Sequence, residues 1–220
     1  MMTPDYETAA RKATELLLKY KISAAPIIPI PILKDMYPKV VIVTFADMAN
    51  DMNTDRRNIV MMFSDSQDAA TIVRRKNGEL QYIIAYNQRL PFYMLQRGLA
   101  RELGHIILEH DGSKPEDVRA KEALCFAQHF LCPRPVLMAV KNAGVPLTTE
   151  VVGNITGCFE HCIAKMHDTP GCHVPAELNR ALHKQFEDYI TNFLDCQPSL
   201  GREDHSSLAN FGSFMDNYEE

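Results

Sequence analysis

The rhythm of apolar and polar positions changes twice along the chain. Between residues 5 and 20, Ala9, Ala13, Leu16, Leu17 and Tyr20 recur at helical spacing, which predicts an amphipathic helix with Asp5 as its N-cap. A Pro-rich run at 26–31 ends that element and does not suit a helix interior. The next stretch is rich in β-branched and bulky apolar residues, so KVVIVTF (39–45) and NIVMMF (58–63) predict strands. ATIVRRKNGELQYIIAYN (70–87) carries Asn77-Gly78 between two such runs, the pattern of a β-hairpin. A small sheet of three or four strands, partly antiparallel, follows from these segments.

Helical periodicity then returns. Leu95, Leu99, Leu103, Ile106 and Ile107 predict a helix over 91–110, with Asp111-Gly112 as its stop. Residues 116–131 predict a second helix closed by Pro133 and Pro135, and 136–195 reads as short helices separated by turns. Residues 196–220 form a polar, acidic tail.

Composition narrows the class. The 220 residues suit one domain, or one with a small appendage, and an apolar fraction of 46% supports an ordinary core. The net charge of −5 argues against direct nucleic-acid binding and against a membrane-surface role. The six cysteines include no CxxC pair, the N-terminal residues are charged throughout, and ISAAPIIPIPIL is too short to span a bilayer. The expectation is a soluble, cytoplasmic protein with reduced thiols.

The chemistry concentrates in RGLARELGHIILEHDG (97–112). Residues three and four apart share a helix face, so Arg101, Glu102 and His105 lie together. With His at position 101 the segment would read HExxH, in which two His hold zinc and the Glu activates a metal-bound water. Catalytic zinc takes three protein ligands, and Glu122 in KEALCFA on the next helix is the candidate third. Taken alone, the same side chains also fit a charged helix face.

The order of features resembles the ImmA/IrrE family of metallopeptidases. An N-terminal helix, a Pro-rich approach, a small sheet ending in IAYN, the altered HELGH helix and EALCFAQHFLCP (122–133) carry the resemblance, which spans about 5–135 well and 136–195 more loosely. It implies an α+β fold with a zincin-like core over 1–135, a helical C-terminal region over 136–195 and a tail over 196–220. It implies Glu102 as catalytic acid/base and His105 and Glu122 as zinc ligands. It also implies a protein substrate such as a helix-turn-helix repressor controlling phage, mobile-element or stress genes.

Arg101 departs from that pattern. Arg stays protonated and has no lone pair to give. At ~4 Å and an effective dielectric of ~20 it would repel Zn²⁺ by roughly 8 kcal/mol. Pairing of Arg101 with Glu122, or with Glu102, would supply the positive charge in place of the metal. Glu109 and His129 are the possible substitute ligands, whereas His110 is rotated away on a continuous helix and reads with Glu109 as a solvated helix end. Two readings therefore stand: a peptidase with an altered zinc site, or a metal-free relative that binds a regulator without cutting it.

Two further segments carry weaker signals. GCFEHCIAKMHDTPGCHVP (157–175) gathers Cys158, Cys162, Cys172 and three His at no standard zinc-finger spacing, and buried core thiols explain it as well. Residues 147–167 resemble a helix-turn-helix in outline, but Cys158–His167 offers only Lys165 as a firm cation, which favours packing or partner recognition over DNA.

Overall fold

Asp5 starts the first helix, as its spacing predicts. Its carboxylate accepts from the Thr8 N–H at 2.9 Å, and α1 (Tyr6–Lys19) buries Ala9, Ala10, Ala13, Leu16 and Leu17. The computed structural model describes residues 2–63, 68–76, 78–110, 113–157 and 173–196. The Pro-rich run corrects the expectation in part, because Pro29 opens a short helix, α2 (Pro29–Asp35). Proline fits a first helical turn, whose N–H groups have no intrahelical acceptor.

β1 (Val40–Thr44) runs into α3 (Phe45–Asp51) through a capping box between Thr44 and Asp47. The segment 58–63 is not a strand. Asp55 caps the Asn58 N–H at 2.9 Å, and α4 (Arg56–Met62) follows. Only Ile59 of that helix is buried, in a cluster with Phe45, Ala49 and Ala85, so the run offers one helical position to the core and not an alternating strand face. β2 (Ala69–Lys76) and β3 (Glu79–Tyr86) form the expected antiparallel hairpin, with Lys76 opposite Glu79. Gly78 has φ +85, the left-handed conformation this turn requires. β1 adds parallel to β3, giving the order β1-β3-β2.

α5 (Phe92–Ile107) lies on β2 and β3, and α6 (Glu116–Leu131) packs between α5 and α1. The short helices α7 (Arg134–Asn142), α8 (Thr149–Thr156), α9 (Ala176–Gln185) and α10 (Glu187–Asp195) complete the described chain. One buried cluster joins Leu17 of α1, Ile84 of β3, Leu103 of α5 and Phe126 of α6 to Val140, Ile155, Leu182 and Ile190 of the later helices. Among the described residues no single helix is long and apolar enough to cross a membrane. The pair α6 and α7 reaches that length together but is bent by 48°. Cys158, Cys162 and Cys172, the second half of the helix-turn-helix outline and the tail beyond Cys196 lie outside the described residues.

Candidate functional site

α5 ends earlier than its periodicity predicts. The Glu109 N–H bonds the Ile106 carbonyl at 3.1 Å and the His110 N–H bonds the His105 carbonyl at 3.0 Å, with Glu109 left-handed at φ +54. This is a Schellman ending, normally built on glycine. It stops the helix before Asp111-Gly112 and folds His110 back against the last turn. The expectation that His110 is rotated away and solvated is therefore corrected: its side chain is 1% exposed. Glu109, by contrast, is exposed beyond the helix.

Arg101 and Glu102 face the start of β2. Arg101 donates from Nη2 to the Ala69 carbonyl at 3.3 Å and from Nη2 and Nε to Glu102 Oε1 at 3.3 and 3.4 Å. One turn earlier, Arg97 bridges Asp68 at 2.7 Å. The two arginines are four residues apart and bind α5 to Asp68, just before β2, and to Ala69, its first residue. Of the two partners foreseen for Arg101, the structure pairs it with Glu102 and not Glu122. Glu102 is buried, and its Oε2 accepts from the Thr71 hydroxyl at 2.7 Å. Burial raises its pKa, opposed by Arg101 and Thr71.

Glu122 is the hub of a second network. It is 2% exposed, and Lys114 Nζ donates to both of its oxygens at 2.9 Å. The Asp5 N–H donates to Oε1 at 2.8 Å, and His110 Nε2 lies 2.9 Å from Oε2. Burial pushes this carboxyl up, but the Asp5, Lys114 and His110 donors outweigh it, and its pKa is lowered. His105 Nδ1 is 2.8 Å from His110 Nδ1. Burial first, then His110, Arg101 and Arg119, lowers the His105 pKa to about 3. Burial also lowers His110, against the pull of Glu122. Both rings are then neutral at pH 7. The ionised Glu122 accepts from His110 Nε2–H, and His110 Nδ1 accepts from His105 Nδ1–H.

The structure thus brings Glu102 and Arg101 together, and separately His105, His110 and Glu122. His129 is seven residues from Glu122, about 10 Å along α6. Among the described residues no three His, Cys, Asp or Glu side chains form a group that would hold a metal ion. The donor set does not fit zinc as arranged, because Glu122 is engaged on both oxygens and a guanidinium, which has no lone pair to give, stands at position 101. Sequence reading gave Asp5 only as a helix cap, set His110 aside as solvated and did not single out Lys114. Lys114 stands one residue before Pro115, and nothing in DGSKPED announces that its ammonium returns to a helix two turns on.

Residues 54–151 match a family model, Peptidase_M78, described as the IrrE N-terminal-like domain. The matched span starts before α4 and ends within α8, so it holds the hairpin, α5 and α6 but not α1. No curated protein and no solved structure gives a significant match.

Proposed function

Through residues 54–151 the chain belongs to the IrrE-like M78 peptidase family, and from that premise we propose that it is a metal-free member that binds a protein regulator without hydrolysing it. One observation carries the reading: the Arg101 guanidinium lies against Glu102, the carboxylate a peptidase of this family would use to activate water. A general base must be able to accept a proton from water within hydrogen-bond reach. Here Glu102 is 4% exposed, and its two oxygens bind Arg101 and the Thr71 hydroxyl. Arg101 also bonds the Ala69 carbonyl, so its role is to hold α5 to β2.

The partner in this reading is a transcriptional repressor of the helix-turn-helix class, as the family resemblance implies, met in the cytoplasm. β2 supports a mode of contact. Among the described residues it pairs only with β3, and it exposes Val73, Arg74 and Arg75. An extended segment can add to such an edge by main-chain hydrogen bonds.

Metal content by mass spectrometry, on protein purified without chelator, tests the reading. Zinc far below one ion per chain, with no chelator-sensitive cleavage of a repressor substrate, is expected. Near-stoichiometric zinc together with such cleavage would overturn it in favour of an active metallopeptidase built on Glu102, His105 and Glu122.

A further inference from the structure

Two carboxylates lie in the core of this site, and each has its own cation: Arg101 on Glu102 and Lys114 on Glu122. We propose that Lys114 is a built-in counter-ion that takes the place of a metal on Glu122 and closes that carboxylate to one. The proposal rests on the metal-free reading above. It goes further by assigning a second position, besides Arg101, that keeps an ion out.

A carboxylate buried as deeply as Glu122 needs a counter-charge and filled lone pairs. Lys114 Nζ spans both oxygens at 2.9 Å, much as a bidentate ion would. The Asp5 N–H and His110 Nε2–H add one bond to each oxygen, so all four lone-pair sites of the carboxylate are used. The backbone of Lys114 is itself fixed, since Arg119 Nε donates to its carbonyl at 3.1 Å. The result joins three parts of the chain: the start of α1 through Asp5, the end of α5 through His110, and α6 through Glu122. Lys114 remains reachable, because its side chain is 38% exposed beside a cleft of about 160 Å³ that Lys12 and Glu109 also line.

A consequence separates this proposal from a simple lost ligand. Restoring histidine at position 101 alone leaves Glu122 saturated. The test compares the natural chain with Arg101→His, Lys114→Met, Lys114→Arg and the Arg101→His/Lys114→Met double variant. Each is titrated with zinc alone by calorimetry and melted with and without chelator. Expected are a Tm lowered by about 4 °C in Lys114→Met, recovery of most of it in Lys114→Arg, and zinc bound at least about 10-fold more tightly by the double variant than by Arg101→His. Failure of Lys114→Met to fold, with Lys114→Arg folding normally, supports the same conclusion. Equal zinc affinity in Arg101→His and the double variant, or a Lys114→Met melt within about 1 °C of the natural chain, overturns it. Stoichiometric zinc in the natural chain instead defeats the metal-free reading on which the proposal stands.

Discussion

Glu109 shows how one backbone conformation shapes the site. It occupies the left-handed position of the Schellman ending with φ +54, and its side chain is exposed. That conformation costs an L-residue about 1–2 kcal/mol, part of which glycine returns as unfolded-state entropy. Glu109→Gly is expected to stabilise the protein by about 0.5–1 kcal/mol and raise Tm by about 2 °C. A lower Tm in a thermal melt would mean that the Glu109 carboxylate contributes more than the backbone strain costs. The same turn explains why the site was only half legible. Spacing on an ideal helix placed Arg101, Glu102 and His105 on one face, since those positions depend on i+3 and i+4 geometry, whereas Glu122 was named only as a candidate from the next helix. It put His110 about 140° away from His105, because five residues on a helix turn that far past one revolution. The helix stops first, and the ring comes back to 2.8 Å from His105. Lys114 was beyond reach for a related reason: its partner is set by where a loop closes, and loop closure leaves no periodic trace.

At the scale of elements, α5 is held on two sides through glycines. A Cβ at Gly98 would stand 2.8 Å from the Asp68 Cβ, which the Arg97 bridge holds in place. A Cβ at Gly104 would stand 3.0 Å from the Phe126 ring and 3.2 Å from the Ala123 carbonyl oxygen. Phe126 is fully buried and stacks on Phe130 with ring centroids 5.9 Å apart, so it has little room to give. Alanine would gain about 1 kcal/mol of helix propensity, but overpacking costs about 1–3 kcal/mol. Gly98→Ala and Gly104→Ala should therefore each destabilise the chain, by about 1 kcal/mol net. Circular-dichroism melts decide it: a raised Tm in either variant would show that α5 shifts freely on β2 or α6. Pattern revealed α1 through its capping residue, β1 through its β-branched run, the β2–β3 hairpin through its turn, α5 through its apolar stripe except at its end, and α6 through the prolines that close it. α4 was misread because NIVMMF has strand-like composition, whereas Asp55 and Asn58 fix a helix start just before its apolar residues. Composition spoke for a strand, and local capping with a single buried position decided for a helix.

Across the whole molecule, neutral buried histidines and the ionised Glu122 oppose Glu102 in setting the response to acid. His105 is lowered from 6.5 to about 3, and His129, by burial and then Arg134, from 6.5 to about 4. Both rings stay neutral in the fold while the unfolded chain protonates them below 6.5, so the unfolded state binds more protons in that window. Their contribution is present above pH 6.5 and is lost as pH falls toward 3–4. Glu122, whose pKa is lowered, acts in the same direction below its ordinary 4.5. Glu102 acts oppositely: its pKa is raised by burial, so its contribution is present at low pH and lost as pH rises through its folded value. With His110, also lowered by burial, these groups outnumber Glu102 and predict a Tm that falls steadily from pH 6.5 to 4. His129 isolates part of that slope. It lies two turns along α6 from the Glu122 network, so the two contributions should add. A shift from 6.5 to about 4 corresponds to as much as about 3 kcal/mol. His129→Gln, which does not titrate, should therefore lose stability less steeply than the natural chain, with the two Tm curves converging as pH falls from 7 to 4. Curves that stay parallel over that range would sink the assignment and leave the acid response to His105, His110 and Glu122.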